Sequence, residues 1–366
     1  MGAPRRVVVL DVSHLFEPLS IRDLTVSNRA WVSPMCQYSS TDGLPNDWHL
    51  MHLGQFATGG AGLVMTEASA VTPEGRISPQ DAGIWNDEQV TAWRRITTFI
   101  HNRGAHAGMQ LAHAGRKAST RRPWDGSGTV PPEEGGWRSV GADDQPFGEY
   151  APARPLSEAE VAQLPGQFAA AARRAVNAGF DVVELHFAHG YLVHQFYSPL
   201  SNSRTDRYGG DFEGRTRLAL EIAEAVRQEL GEGRPIFARL SATDWEDGGW
   251  TIEDSVRLAR LLDERGIDLI DTSSGGNTPA PNIPIGPGYQ VPLAERIRTD
   301  AKIATGAVGM ITDPEQAEEI IASGAADAVF LARALLRDPH WPLRAANALG
   351  ADVRWADQYA RAKSWR

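Results

Sequence analysis

A single cysteine, Cys36, stands among 366 residues, so no internal disulfide can form. A metal cluster held by several thiolates is excluded on the same count. Long apolar runs near the start are lacking as well. Val7–Leu10 follows Arg5 and Arg6 but stops at Asp11, too soon for a secretory segment or a membrane helix. Arg6 also stands where a myristoylation motif wants Ser or Thr. A soluble cytoplasmic protein that touches no membrane is expected. Positive charge is in deficit: 36 Lys and Arg against 46 Asp and Glu give a net charge of −10. Backbone binding to nucleic acid needs clustered cations, so nucleic acid is not an expected partner. Finally, no Gly-x-Gly-x-x-Gly follows an early strand, and a doubly wound dinucleotide fold is left without its phosphate loop.

What the chain does have is alternation. Short apolar runs and amphipathic helical stretches follow one another, the pattern of a parallel sheet covered by helices. Strands are predicted at 30–33, 63–66, 106–111, 182–185, 235–240, 268–272, 303–305 and 328–331. Helices are predicted at 48–58, 87–103, 157–177, 212–230, 251–265, 291–299, 313–323 and 339–349. Eight units predict an α/β protein, a (β/α)8 TIM barrel spanning 1–366 as one domain. An open doubly wound sheet is the alternative.

The pattern lapses once, after the third strand. Residues 118–156 are rich in Gly, Pro and Trp and carry no period. A loop this long in a compact domain is usually functional or mobile. Its place after a strand end puts it over the barrel mouth, where Trp124 and Trp137 either form a lid or anchor the loop. Ser157 with Glu160 makes a capping box. Pro165 fits the following helix badly, so a kink or a later start is expected.

The chemistry gathers after the fourth strand, where the chain reads HFAHGYLVHQFYSPLSNSRTDRYGGDFEGR from His186 to Arg215. Gly179, just before that strand, is placed as the residue after a helix end. His186, His189 and Tyr191 emerge where ligands bind in parallel α/β folds, at the carboxyl ends of strands. On spacing alone, structural histidines beside a buried tyrosine are as good a reading. Phosphate commonly sits after the seventh and eighth strands of such a barrel. Those loops carry Gly306 to Gly309 and Ala332-Arg333, and glycines needed only for turns are the alternative. Arg239 ends the fifth strand, an odd place for a guanidinium unless the barrel mouth needs one.

Residues 186–215 resemble the signature of the Old Yellow Enzyme family of flavin-dependent ene-reductases. Ser33-Pro34-Met35-Cys36-Gln37-Tyr38, Thr66-Glu67-Ala68, Gln110 to Lys117 and Thr305 to Gly309 correspond in the same order, so the likeness runs over about 18–362. Cysteine in the Ser-Pro-Met-Cys stretch points to the bacterial, thermophilic-like branch. The resemblance implies FMN as cofactor and NADPH or NADH as reductant. It assigns Ser273, Gly309, Ala332 and Arg333 to the FMN phosphate, with Ala332 in place of the usual glycine. It gives Arg239 and Gln110 to the pyrimidine edge, Ala68 to the back of the ring, and Ser33, Pro34, Met35 and Cys36 to its reactive side. His186 and His189 would bind the carbonyl oxygen of an activated alkene, Tyr191 would protonate the α carbon, and Tyr38 would add a second hydroxyl. Cys36 is expected to contact the flavin and not to act as a nucleophile.

Two further departures from the family pattern stand in this stretch. Phe187 replaces a small residue and either narrows the pocket or packs behind it. Gly214 replaces an asparagine and is read as structural. The resemblance also implies a homodimer or homotetramer, in which Arg361, on the 350–366 tail with Trp355 and Trp365 as anchors, enters a neighbour's site. Rival readings are a flavin barrel oxidising a dihydropyrimidine or hydroxy acid, a cofactor-free sugar-phosphate isomerase or lyase, and a binding module.

Overall fold

The computed structural model describes residues 13–363; the run Val7–Leu10, Arg6 and Trp365 lie outside them. Eight parallel strands close on themselves: β1 (Ala30–Val32), β2 (Leu63–Ala70), β3 (His106–Ala112), β4 (Val182–Phe187), β5 (Ile236–Ser241), β6 (Leu269–Ser273), β7 (Ala304–Ala307) and β8 (Ala328–Leu331). Val329 opposite Ala30 and Phe330 opposite Trp31 join the last strand to the first. That pairing removes both sheet edges and rules out the open doubly wound alternative.

Helices α1 (Asp47–Thr58), α2 (Asp87–Asn102), α3 (Leu164–Asn177), α4 (Phe212–Leu230), α5 (Ile252–Asp263), α6 (Val291–Ala301), α7 (Pro314–Ala322) and α8 (Trp341–Ala348) alternate with the strands. Local chemistry starts and stops them. Asn46 and Asn86 cap α1 and α2 in reciprocal boxes, each satisfying backbone N–H groups that lack helical partners. Ser157 and Glu160 do form a capping box, but it caps a single turn, Glu158–Val161. The long helix starts afresh at Leu164 with Pro165 in its first turn, where a missing N–H costs nothing. Gly179 follows that helix at φ +95°.

Two boundaries differ from the sequence reading. β2 continues to Ala70 because an irregularity between Met65 and Ala68 lets it resume pairing with β3, as a bulge does. β7 includes Gly306, where a Cβ would lie 2.3 Å from the Phe330 ring. Gly306 therefore belongs to the barrel wall and not to a phosphate loop.

Side chains alternate along each strand. Inward positions Trp31, Leu63, Met65, Val182, Phe237, Leu269, Ala328 and Phe330 fill the lower barrel. The hairpin of Leu19–Ile21 and Leu24–Val26 plugs the amino-terminal end with Ile21 and Val26. Outward positions such as Val183, Leu185 and Phe187 join the main core under the helices. Gly214, at the third position of α4, takes the Asp211 cap, and a Cβ there would lie 2.0 Å from the Gly209 carbonyl oxygen. Its role is structural.

Trp31 stacks on Phe237 at 5.8 Å and meets Phe330 edge-on at 5.4 Å. Trp31→Ala should cost about 3–5 kcal/mol, the usual range for emptying a large aromatic site. The measurement is the urea midpoint at unchanged m value. A loss under about 1 kcal/mol would show that the barrel bottom is not close-packed.

Candidate active site

Four residues assigned to phosphate meet in one cleft of about 240 Å³, lined by Ser273, Gly309, Ala332 and Arg333 with Tyr289 and Gln290. Gly309 adopts φ +121°, and a Cβ there would press to 2.8 Å from the Gln290 amide, so the backbone approaches closely only because the residue is glycine. Ala332 sits at φ −113°, outside the left-handed region that would call for the glycine the family usually has there. Arg333 opens the short helix Arg333–Arg337 at the exposed rim. One guanidinium and close backbone at a helix start suit a phosphate.

Below the mouth, inward positions of β3 to β6 carry Gln110, Glu184, Arg239 and Asp271, all buried. Arg239 Nη2 donates to Ser33 Oγ at 3.2 Å, joining β5 to the end of β1. Its Nε lies 3.0 Å from Asp271 Oδ2 but is not aimed at a hydrogen-bond acceptor. Gln110 Nε2 donates to Glu184 Oε1 at 2.7 Å.

At the end of β4, His186 lies 5.1 Å from His189 and 5.0 Å from Tyr191, ring centre to ring centre. Burial, and then the charge of Arg239, lowers the pKa of both imidazoles well below the ordinary histidine range, so both are neutral. His186 Nδ1 accepts from the Ala188 N–H, leaving Nε2 as the protonated, donating nitrogen. His189 Nε2 lies 2.7 Å from Ser273 Oγ. Burial pushes the Tyr191 hydroxyl well up, with Cys36, Tyr38 and Asp81 adding to the effect, so it holds its proton.

This turn is tightly braced. His189 sits at φ +60°, a strained region for a side-chain-bearing residue. A Cβ on Gly190 would reach 2.2 Å from Gly276 O, and one on Gly276 would reach 2.7 Å from His189 Cα. The loops after β4 and β6 therefore lie back to back. Lys117 Nζ donates to both, to His189 O at 2.9 Å and Gly276 O at 3.0 Å. Burial, and then Arg116, draws this ammonium down to about 7.

Beside Tyr191, an apolar wall of Ala68, Ile77, Ala112, Ala114 and Ala118 packs against Cys36, Tyr38 and Trp137. Burial, and then Asp81 and Glu67, raises the Cys36 thiol well above its usual range, which opposes the thiolate a nucleophile requires. Tyr38 holds φ +50°. Met35 turns its side chain to the main core, and Pro34 is half-buried between Ser33 and Met35. The long loop reaches this wall: Trp124 stands edge-on to Tyr38 at 5.8 Å, and Trp137 Nε1 donates to Glu74 O at 2.9 Å. Within it, Val140–Gly141 and Arg154–Pro155 pair as two short strands.

Residues 14–352 match the NADH:flavin oxidoreductase / NADH oxidase family. The chain belongs to that family. It is 46% identical over 355 residues to the NADPH dehydrogenase of Geobacillus sp. (strain WCH70), covering 96% of this chain and 98% of that one. It is 44% identical over 363 residues to the NADH:flavin oxidoreductase FG08077 of Gibberella zeae, covering 94% and 88%. Morphinone reductase in complex with tetrahydroNAD superposes with a TM-score of 0.76 at 27% identity, covering 94% of this chain and 92% of that one. The protein is thus an oxidoreductase, with FMN as its flavin and a nicotinamide nucleotide as reductant. Its residues fit FMN: a cleft whose lining suits a phosphate lies between β7 and β8, and a buried guanidinium with an undirected Nε stands at the mouth.

Phe187 points outward into the core under the helices, so in this flavin oxidoreductase it packs behind the site and does not narrow it. Arg361 is exposed on the turn Asp357–Ala362. Among the described residues no helix is long and apolar enough to cross a membrane.

Two groups escaped the sequence reading. Glu184 and Asp271 are inward charges inside apolar strands, and a carboxylate in a buried run is itself a signal. His194 and Asp244 form the other. Gly190 N–H donates to His194 Nδ1 at 2.9 Å, and His194 Nε2 lies 2.9 Å from Asp244 Oδ1. Asp244 Oδ2 also accepts from Ser198 Oγ at 2.6 Å and from Trp250 N–H at 2.9 Å. Burial alone would raise this carboxyl, yet His194, Ser198 and Trp250 hold it below its ordinary value. Asp244→Ala removes one partner of a buried pair and should cost about 3–5 kcal/mol, read from the urea midpoint. A change under 1 kcal/mol would mean that this network does not hold the Gly190–Tyr191 turn.

Proposed function

We propose that the protein reduces the activated C=C bond of α,β-unsaturated carbonyl compounds (enones, enals, maleimides and, by the same face, quinones) using NADPH or NADH. The observation that carries this reading is the convergence of His186, His189 and Tyr191 on one mouth above Arg239 and Gln110. Bound FMN supplies the hydride. Ser273, Gly309, Ala332 and Arg333 hold its phosphate, Arg239 and Gln110 its pyrimidine edge, and Ser33 to Cys36 with Ala68 flank the ring.

His186 Nε2–H and His189, once released from Ser273, donate to the substrate carbonyl oxygen. Two preorganised neutral donors there stabilise the negative charge that develops on oxygen. Tyr191, with its hydroxyl held protonated, delivers a proton to the α carbon. Tyr38 adds a second hydroxyl on the carbonyl side, and Trp124 beside it covers the mouth.

A second copy completes the site in this reading. Trp48 and Met51 on α1, Phe99 on α2 and Tyr359 on the tail are exposed apolar side chains. Met51, Phe99 and Tyr359 line one groove. Trp48 Nε1 donates to Gln37 Oε1 at 3.0 Å, so the patch adjoins the rim of the mouth. A tail from a neighbour seated on it brings Arg361 to that mouth in a symmetric dimer, or in a tetramer built from such pairs.

Absorbance in the flavin bands and NADPH-dependent reduction of cyclohexenone test the reading, against dihydropyrimidine oxidation as the rival. Tyr191→Phe should leave flavin reduction by NADPH nearly unchanged and slow cyclohexenone reduction by roughly 10²–10⁴-fold. Quinone reduction, protonated on oxygen, should survive. Stopped-flow of the two half-reactions measures this, and a parallel fall of enone and quinone turnover would remove Tyr191 as the acid. Deleting residues 358–366 should raise KM for substrate and nicotinamide. A fully active monomeric truncation would refute the shared site.

A further inference from the structure

Lys117 puts a positive charge where that charge is unfavourable. Its Nζ donates to His189 O at 2.9 Å and to Gly276 O at 3.0 Å, and the charged group that acts on it is another cation, Arg116. Taking a charge out of water beside a like charge is costly, and an uncharged amide could bridge two carbonyls as well. Nor does the fold of the turn depend on this residue alone. Leu192 N–H donates to His113 O at 3.0 Å, Gln195 Nε2 to Gly190 O at 2.7 Å, and His189 N–H to Ser241 Oγ at 2.9 Å. The charge therefore calls for a reason of its own.

Two rings flank it. Nζ stands 5.1 Å from the centre of the Tyr191 ring and 4.2 Å from that of Phe147. Phe147 belongs to the long loop after β3 and packs on Tyr150 at 5.6 Å, ring centre to ring centre. The loop thus supplies an apolar cover, beneath which a charge is weakly screened. Of the cation–ring contacts among the described residues, the one made by Lys117 is the one that reaches Tyr191.

Tyr191 is also the group from which the proposed reaction draws a proton. As its O–H bond breaks and the C–H bond forms at the α carbon, the O–H electron pair stays on oxygen and a phenolate is left behind. Burial, and then Cys36, Tyr38 and Asp81, opposes that charge. We infer that Lys117 holds the phenolate that Tyr191 becomes: the ammonium, fixed by two carbonyls and covered by Phe147, offsets the negative charge until a proton from water restores the hydroxyl. Lys117 acts through Tyr191 and is a positioning residue. The inference rests on the ene-reductase reading for the reaction, while the pull of the ammonium on the phenol does not.

Two measurements keep these apart. A fluorinated tyrosine at position 191, whose phenol ionises nearer neutrality, can be titrated by fluorine NMR in the purified protein. A unit charge at this distance in a partly screened site is worth about one pH unit or more. The phenol should therefore ionise at least about one unit lower with Lys117 in place than in Lys117→Gln. Phe147→Ala, which opens the ammonium to water, should move the midpoint the same way by less. A midpoint unmoved by Lys117→Gln, or by Phe147→Ala should the former not fold, overturns the inference with or without flavin. In turnover, Lys117→Gln keeps a donor for the carbonyls and loses the charge, so the ratio of cyclohexenone to quinone reduction should fall roughly tenfold or more. In a Tyr191→Phe background the same substitution should leave that ratio where it stands, because effects that pass through one residue do not add. A ratio unmoved in the wild-type background, or moved equally in both, also overturns it. Absence of enone reduction by the wild type fails the proposed function instead, and the titration still decides Lys117.

Discussion

On β4 the side chains of Val182, Glu184 and His186 point into the barrel while Val183, Leu185 and Phe187 point at the helices. This alternation, imposed by the two-residue repeat of a strand, sorts one short stretch into a plug, a charge and a donor at rising height. The neighbouring strands repeat the sorting: Phe237 then Arg239 on β5, Leu269 then Asp271 and Ser273 on β6. A slip of one residue would turn each of these charges toward the helix layer. Apolar packing below therefore holds the register of the charged layer, and the charged layer holds the floor of the mouth.

The mouth itself is built from irregular backbone, which needs separate bracing. His189 and Tyr38 both occupy left-handed conformations, each costing on the order of 1–3 kcal/mol. Such conformations persist only where surroundings over-determine them. Around His189 the surroundings are specific: Lys117 on two carbonyls, Ser241 Oγ on its N–H, and the His194–Asp244 pair behind Gly190. The strain and the braces aim a ring that would otherwise sample many directions.

Much of this architecture was legible in the sequence, because the eight strand-helix alternations are long and regular. The differences have physical causes. Pro165 was legible as a misfit, and it resolved into a fresh helix start at Leu164, beyond the single turn Glu158–Val161 that the capping box begins. Gly306 read as a phosphate glycine because a Thr-Gly-Ala-Val-Gly run looks alike in a wall and in a loop; only the Phe330 ring across the barrel shows which it is. Glu184, Asp271, His194 and Asp244 come from distant stretches, and no local pattern announces a contact across the barrel. Arg361 was legible only through a resemblance, since the groups it is proposed to meet belong to another copy.

Strand alternation also separates the proposed chemistry from the side chains around the mouth. Phe187, the departure nearest the histidines, faces away from the mouth, so changing its size perturbs packing under the helices first. The side chains that share the apolar wall with Tyr191 come from elsewhere: Tyr38 after β1 and Trp137 from the loop after β3, with Trp124 of the same loop edge-on to Tyr38. Loops vary with little cost to the barrel beneath them, whereas the inward layer of Gln110, Glu184, Arg239 and Asp271 is bound to its register. The residues proposed for the chemistry and those proposed to meet substrate therefore sit on different parts of the chain. Relatives that share the inward layer are expected to differ chiefly in residues equivalent to 118–156 and to the turn at Tyr38.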